Sequence, residues 1–198
     1  MGLVSPPRTL KFSVERMVQA VQDCRKDEVM IDFSRQIGTR FAAMVEHFSA
    51  LEGDAVPAHN NKTLFLEGID IWFRASFPLN DGAGQKTSNA REVIVHTMRP
   101  WYEAMALDDP SKYRARLTPP PSYVGDPVDP VALMLGACAC LEIQPLQFHF
   151  GMEGGVPVHV WARVYADGKW YDSDVMDPSL KLGKIPKYQQ YEEVDIPL

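Results

Sequence analysis

Cysteine is scarce in this chain: three residues, at Cys24, Cys138 and Cys140, with neither the spacing of a metal site nor the even count of a disulfide-stapled secreted domain. A basic surplus is also lacking. Against 26 Asp and Glu stand 20 Lys and Arg, giving a formal net charge of −6 and a pI near 5.3. With no positive block to offset phosphate repulsion, neither nucleic acid nor an anionic membrane is expected as a partner. No apolar run reaches the roughly 20 residues that a bilayer span requires, and no charged-then-apolar leader opens the sequence. These absences predict a soluble protein of a reducing, cytoplasmic compartment, holding no metal and no cofactor. Met1-Gly2 invites N-myristoylation, but Pro6 stands where Ser or Thr is needed. Asn61-Lys62-Thr63 has the form of a glycosylation acceptor and matters only in a secreted chain.

What is present is enough apolar material, 45% of 198 residues, to bury a substantial core as a single domain over 1–198. The first part, 1–115, is mainly helical. Ser13 caps a helix through Arg25 whose stripe is Val14, Met17, Val18, Val21 and Cys24, a core spacing. A second opens at Asp27 or Glu28 and carries Ile31, Phe33, Ile37, Phe41, Met44, Val45 and Phe48 before Gly53 stops it. Leu64 to Phe73 suggests a third, and Ser88 caps a fourth through Trp101, with a flexible connection at Asn80 to Gln85 between them. Pro119-Pro120-Pro121 stiffens the approach to the Gly125-Asp126 turn.

The chemistry-bearing part lies in 116–177. From Val156 to Tyr165 the side chains alternate, with Val156, Val158, Val160, Ala162 and Val164 on one face and His159, Trp161, Arg163 and Tyr165 on the other. Asp167-Gly168 is a type I′ hairpin signal, and Trp170 to Asp174 returns as the antiparallel partner, bringing Asp174 back toward His159. A carboxylate beside an imidazole orients the ring and stabilises its cation. Upstream, Gly125-Asp126-Pro127 leads through Asp129 into Val131, Leu133, Met134, Leu135, Ala137, Cys138 and Leu141, an acidic first turn followed by a buried helix. The start of such a helix lowers a thiol's pKa through unpaired N–H groups and the macrodipole.

These residues resemble a transglutaminase-like domain of the papain-like cysteine superfamily. The pattern of that family is a Gly-Asp-Cys-x-Asp helix start, a Leu-Gly-Ile-like helix exit, a His-x-Trp strand and a Gly-x-Trp-Tyr hairpin ending in the catalytic Asp. Gly125, Asp126 and Asp129 match the start, Leu141-Glu142-Ile143 the exit, and His159, Trp161, Gly168, Trp170, Tyr171 and Asp174 the hairpin. Pro127 falls on the cysteine. The resemblance therefore implies a degenerate triad at Pro127, His159 and Asp174, with Asp126, Asp129, Trp161 and Trp170 in support, on an α+β fold whose helical N-terminal half packs on a small antiparallel sheet.

Proline carries neither a thiol nor a backbone N–H, so the nucleophile and one main-chain donor to an oxyanion are lost together. At a first helical position it costs the fold little. Cys138 sits about 16 Å along the helix from its start, and Cys24 lies on a core stripe, so all three thiols are read as structural. Ser173 and Ser122 are the hydroxyl alternatives, and His159 with Asp174 can also be a plain cross-strand contact. His149 is a strand residue without ligand duty, and Asp172, Asp174 and Asp177 lack the Gly and terminal Glu of a calcium loop.

Two functions remain open. One is a noncatalytic structural, assembly or binding module with a protein partner or a second copy of itself. Similar domains occur in bacteriophage virion proteins as well as in bacterial cytoplasmic proteins, so the resemblance implies either a virion head or tail component or a cytoplasmic setting. The other is an active hydrolase or acyltransferase working through His159 and Asp174 with another nucleophile or an activated water. The tail, 178–198, with its Tyr-Gln-Gln-Tyr-Glu-Glu patch, lies along the domain or reaches a neighbouring subunit.

Overall fold

A computed structural model describes residues 14–52, 61–76, 128–177, 179–184 and 186–198. Its helices are α1 (Val14–Cys24), α2 (Glu28–Glu52), α3 (Lys62–Ser76) and α4 (Val128–Cys140). Its strands are β1 (Leu146–Glu153), β2 (Val156–Ala166), β3 (Lys169–Ser173) and β4 (Gln190–Asp195). All strand pairings are antiparallel, in the order β3-β2-β1-β4, so the class is α+β as the sequence implied.

The apolar content of α4 decides the layering. Every residue from Pro130 to Ala139 is buried, because α1, α2 and α3 pack around the helix and β2 covers its remaining side. The helical part thus meets the sheet mainly through α4, with α3 adding a second contact to β2. Close approach of α1 to α4 depends on Gly136, where a Cβ would fall 2.5 Å from Cys24 Sγ. Phe33 of α2 meets Trp72 and Phe73 of α3 edge to face, with ring centroids 4.8 and 6.2 Å apart.

The exit of α4 follows the Leu141-Glu142-Ile143 reading. Ile143 N donates to Cys138 O at 3.0 Å and Glu142 N to Ala139 O at 3.2 Å, the two reversed bonds of a Schellman cap. Glu142 holds the left-handed position at φ 56°, where glycine is usual. The β2–β3 hairpin closes on Asp167 and Gly168 at φ 47° and 83°, the expected type I′ geometry. Asp167 has a second duty that the turn signal does not reveal: its carboxylate accepts from Thr63 N and Oγ1 at 2.8 and 2.9 Å, capping the start of α3.

Alternation along β2 does not translate into one buried and one open face: Trp161 is 1% exposed although it lies on the face opposite Val160 and Val164, so β2 is covered on both sides there, while Val156 at the start of the strand is 38% exposed. On α3, Ile71 is 53% exposed. The tail docks on the domain: it crosses to the far edge of the sheet and pairs with β1 from Gln147↔Asp195 to Met152↔Gln190. The helix expected from Ser88 to Trp101, the Pro119 to Pro121 run and Ser122 lie outside the described residues.

Candidate functional site

His159 projects from the outer face of β2, and Asp174 follows directly after β3. The hairpin register, Ala162↔Ser173, sets Asp174 beyond the last pair, and its side chain closes on the histidine with Nε2 to Oδ2 at 2.7 Å. This contact engages Nε2 and leaves Nδ1 as the second ring nitrogen, the one not bonded to Asp174. Oδ1 of Asp174 accepts from Met176 N and Asp177 N at 3.1 and 3.2 Å. The carboxylate is 2% exposed and the imidazole 22%. A buried, three-bonded acid orienting a partly exposed base is a general-base arrangement needing only a reactant on Nδ1.

The loop bearing Asp174 is fixed from the helical side. Asp70 and Arg74 of α3 form a bidentate pair at 2.8 Å on both bonds. Ser173 Oγ donates to Asp70 at 2.5 Å, while Arg74 Nη1 donates to the carbonyls of Asp177 and Leu180. Ser173 is therefore buried and committed to Asp70 rather than turned toward His159. Sequence reasoning missed this network, since Asp70 sits more than a hundred positions from Ser173, as Arg74 does from Asp177 and Leu180, and Asp70 reads as an ordinary polar helix residue.

Aromatic rings cover the base. Tyr188 stacks on His159 with centroids 5.4 Å apart and planes 17° off parallel, and on Trp161 at 6.0 Å. Gly151, the β1 partner of His159, leaves room for that ring: a Cβ there would lie 2.6 Å from Tyr188 Cγ. Burial and the nearby Asp174 carboxylate push the Tyr188 phenol above its ordinary range. Trp161 Nε1 donates to Asp172 at 3.0 Å. Each aspartate of the acidic group has its own protein partner, Asp172 with Trp161, Asp174 with His159 and Asp177 with Ser179.

Trp170 stands apart from the dyad. It pairs with Tyr165 at the turn end of the hairpin, 5.3 Å between centroids, with Arg163 over its ring. Its support is to the hairpin, not to His159. His149 is 1% exposed and wedged between Trp161 and Tyr191 at 5.3 and 5.2 Å, with Nε2 3.2 Å from Gln147 Oε1. Burial lowers its pKa, against an opposing pull from Glu193. Pro127 and Asp126 lie outside the described residues. Asp129 occupies the first turn of α4, with its side chain outside them.

All three thiols are free and belong to the helical part. Cys24 packs against Gly136, and burial pushes its pKa up to about 12. Cys138 is raised further for the same reason, and Cys140, half-buried, donates its Sγ to Cys24 O at 3.3 Å. Raised pKa is the opposite of what an attacking thiolate needs. Among the described residues no helix is long and apolar enough to cross a membrane. Compared with known proteins, the chain matches no family model, no curated protein and no solved structure.

Proposed function

We propose that the chain is a noncatalytic transglutaminase-like protein, in which the nucleophilic cysteine is replaced by Pro127 and the fold serves as a binding or assembly module. The observation that carries this reading is the state of the base. His159 is oriented by Asp174 as a working histidine would be, yet a tyrosine from the chain's own tail lies flat on it. The thiols elsewhere support the same conclusion, being packed in the helical core with their pKa values raised.

The test is direct. Wild-type protein and His159→Ala are incubated at neutral pH with a thiol-directed probe, a serine-directed probe and generic amide and ester substrates, and are followed by intact mass and by turnover. The reading predicts no adduct and no turnover that differ between the two proteins. A stoichiometric adduct that is lost in His159→Ala, or hydrolysis abolished by His159→Ala, would favour the active-enzyme alternative instead.

A further inference from the structure

Two of the three thiols meet where α1 packs on α4. Among the described elements α4 is the one that α1 packs against extensively, and Met17, Val21 and Cys24 are the residues α1 buries. At the end of that stripe the Cys24 side chain lies on Gly136, with Sγ 2.5 Å and Cβ 2.7 Å from where a Cβ of residue 136 would stand. Residues four apart on a helix share a face, so Cys140 follows Gly136 on that face, with about 5–6 Å between the Cβ positions. Helical side chains lean toward the N-terminus, which aims Cys140 back at Gly136 and at the thiol lying on it. Its Sγ reaches Cys24, donating to the carbonyl at 3.3 Å.

The two sulfurs sense each other and differ in access. Of the charges around Cys24, that of Cys140 acts on it most strongly, ahead of Asp27 and Asp23. Cys24 is buried whereas Cys140 is only partly so, and an oxidant arriving from solution therefore meets Cys140 first, with Cys24 behind it. Burial pushes the Cys140 thiol up, while a hydrogen bond from Ser34 and the charge of Arg25 pull it back. Cys138 lies on another face of α4 and is buried, so it does not compete for either partner.

We propose that Cys24 and Cys140 form a redox modification site, closed to an intramolecular disulfide by a peroxide and reopened by a thiol reductant, which staples α1 to α4. In the first step the Cys140 sulfur attacks one peroxide oxygen and the O–O bond breaks. Cys140 becomes a sulfenic acid, and the other oxygen leaves as water or an alcohol with the thiol proton. In the second step the Cys24 sulfur attacks the sulfenic sulfur, the S–S bond forms, the S–O bond breaks and the hydroxyl leaves as water with the Cys24 proton. The two thiols give up two electrons and the peroxide takes them. Raised thiol pKa values make the first step slow, completed over hours at mildly alkaline pH. A transient bond is the form that disulfides take in a reducing compartment. This one spans 116 positions, so it constrains the unfolded chain strongly. It lies apart from His159 and depends on no reading of that site.

The full-length reduced chain is treated with hydrogen peroxide, without denaturant and at about pH 8.5, near an ordinary thiol pKa. Intact mass, non-reducing peptide mapping and thermal melting follow the reaction. The wild-type chain is expected to lose two hydrogens, to yield one linked peptide joining Cys24 to Cys140, and to melt about 5–10 °C higher than the reduced form. Dithiothreitol reverses all three changes. Cys140→Ser and Cys24→Ala each abolish the mass loss and the melting shift; should one of them not fold, the other decides. No mass loss in the wild-type chain overturns the proposal, as does its persistence in a folded variant. A link to Cys138 or between two chains overturns it equally, and so does a sulfinic acid at Cys140 in place of the bond. A Cys24–Cys140 bond that leaves the melting temperature unchanged overturns the staple.

Discussion

Asp70 carries more of the site than its position suggests. It is 3% exposed, pairs bidentately with Arg74 and accepts the Ser173 hydroxyl, so one carboxylate joins α3 to the end of β3 and to the loop of Asp174. Removing one member of a buried ion pair leaves an uncompensated charge. Asp70→Ala is therefore expected to cost about 3–5 kcal/mol, against about 2 kcal/mol for Ser173→Ala, which removes one bond to a charged group. Urea denaturation of the three proteins checks the order, and equal losses would mean that the network does not act through Asp70. At this scale His159, Asp174 and Trp161 were legible in the sequence, because hairpin alternation and a two-residue turn fix which side chains converge. Asp70, Arg74, Gly151 and Tyr188 were not, since each acquires its role from a residue distant in sequence.

The elements were legible where a local rule governs them. The stripe of α1, the continuous apolar run of α4 and the Asp167-Gly168 turn each stand as periodicity and turn chemistry require. Where a strand is defined by what it docks against, local pattern fails, and β4 is the example: its sequence QYEEVD has no apolar alternation, and its place is set by the open edge of β1 and the seat at Gly151. Gly154-Gly155, at φ 59° and 78°, turns β1 into β2 and is a hairpin signal that could have been read. The cap of α4 offers a test of local strain. Glu142 occupies a left-handed conformation that costs a non-glycine residue about 1 kcal/mol or more, partly offset by glycine's greater freedom when unfolded. Glu142→Gly is expected to raise stability by several tenths of a kcal/mol, to about 1 kcal/mol at most, measured as a higher urea midpoint at unchanged slope. A lower midpoint would show that the glutamate side chain contributes more than its backbone costs.

Across the whole molecule one apolar core runs from α1 through α4 to the inner face of the sheet, while a second, aromatic layer under the tail seals the outer face. His149 links that layer to pH. Its folded pKa lies below the ordinary 6.5, chiefly through burial, so the unfolded chain binds the extra proton first. Stability is accordingly expected to fade as pH falls from about 6.5 toward the folded value, and thermal melts of His149→Gln should lose that slope. A slope of the same size in the variant would assign it to another group. If the chain is a virion component, one of the two settings the resemblance implies, it should be found in purified particles at fixed stoichiometry. The claim on which the functional reading turns is that position 127 stands where a nucleophile would. Pro127→Cys puts a thiol there, and the measurement is its alkylation rate with iodoacetamide at pH 6. The account predicts modification at least about tenfold faster than at Cys140, with that advantage lost in the Pro127→Cys, His159→Ala double variant. An ordinary rate that does not depend on His159 would contradict it.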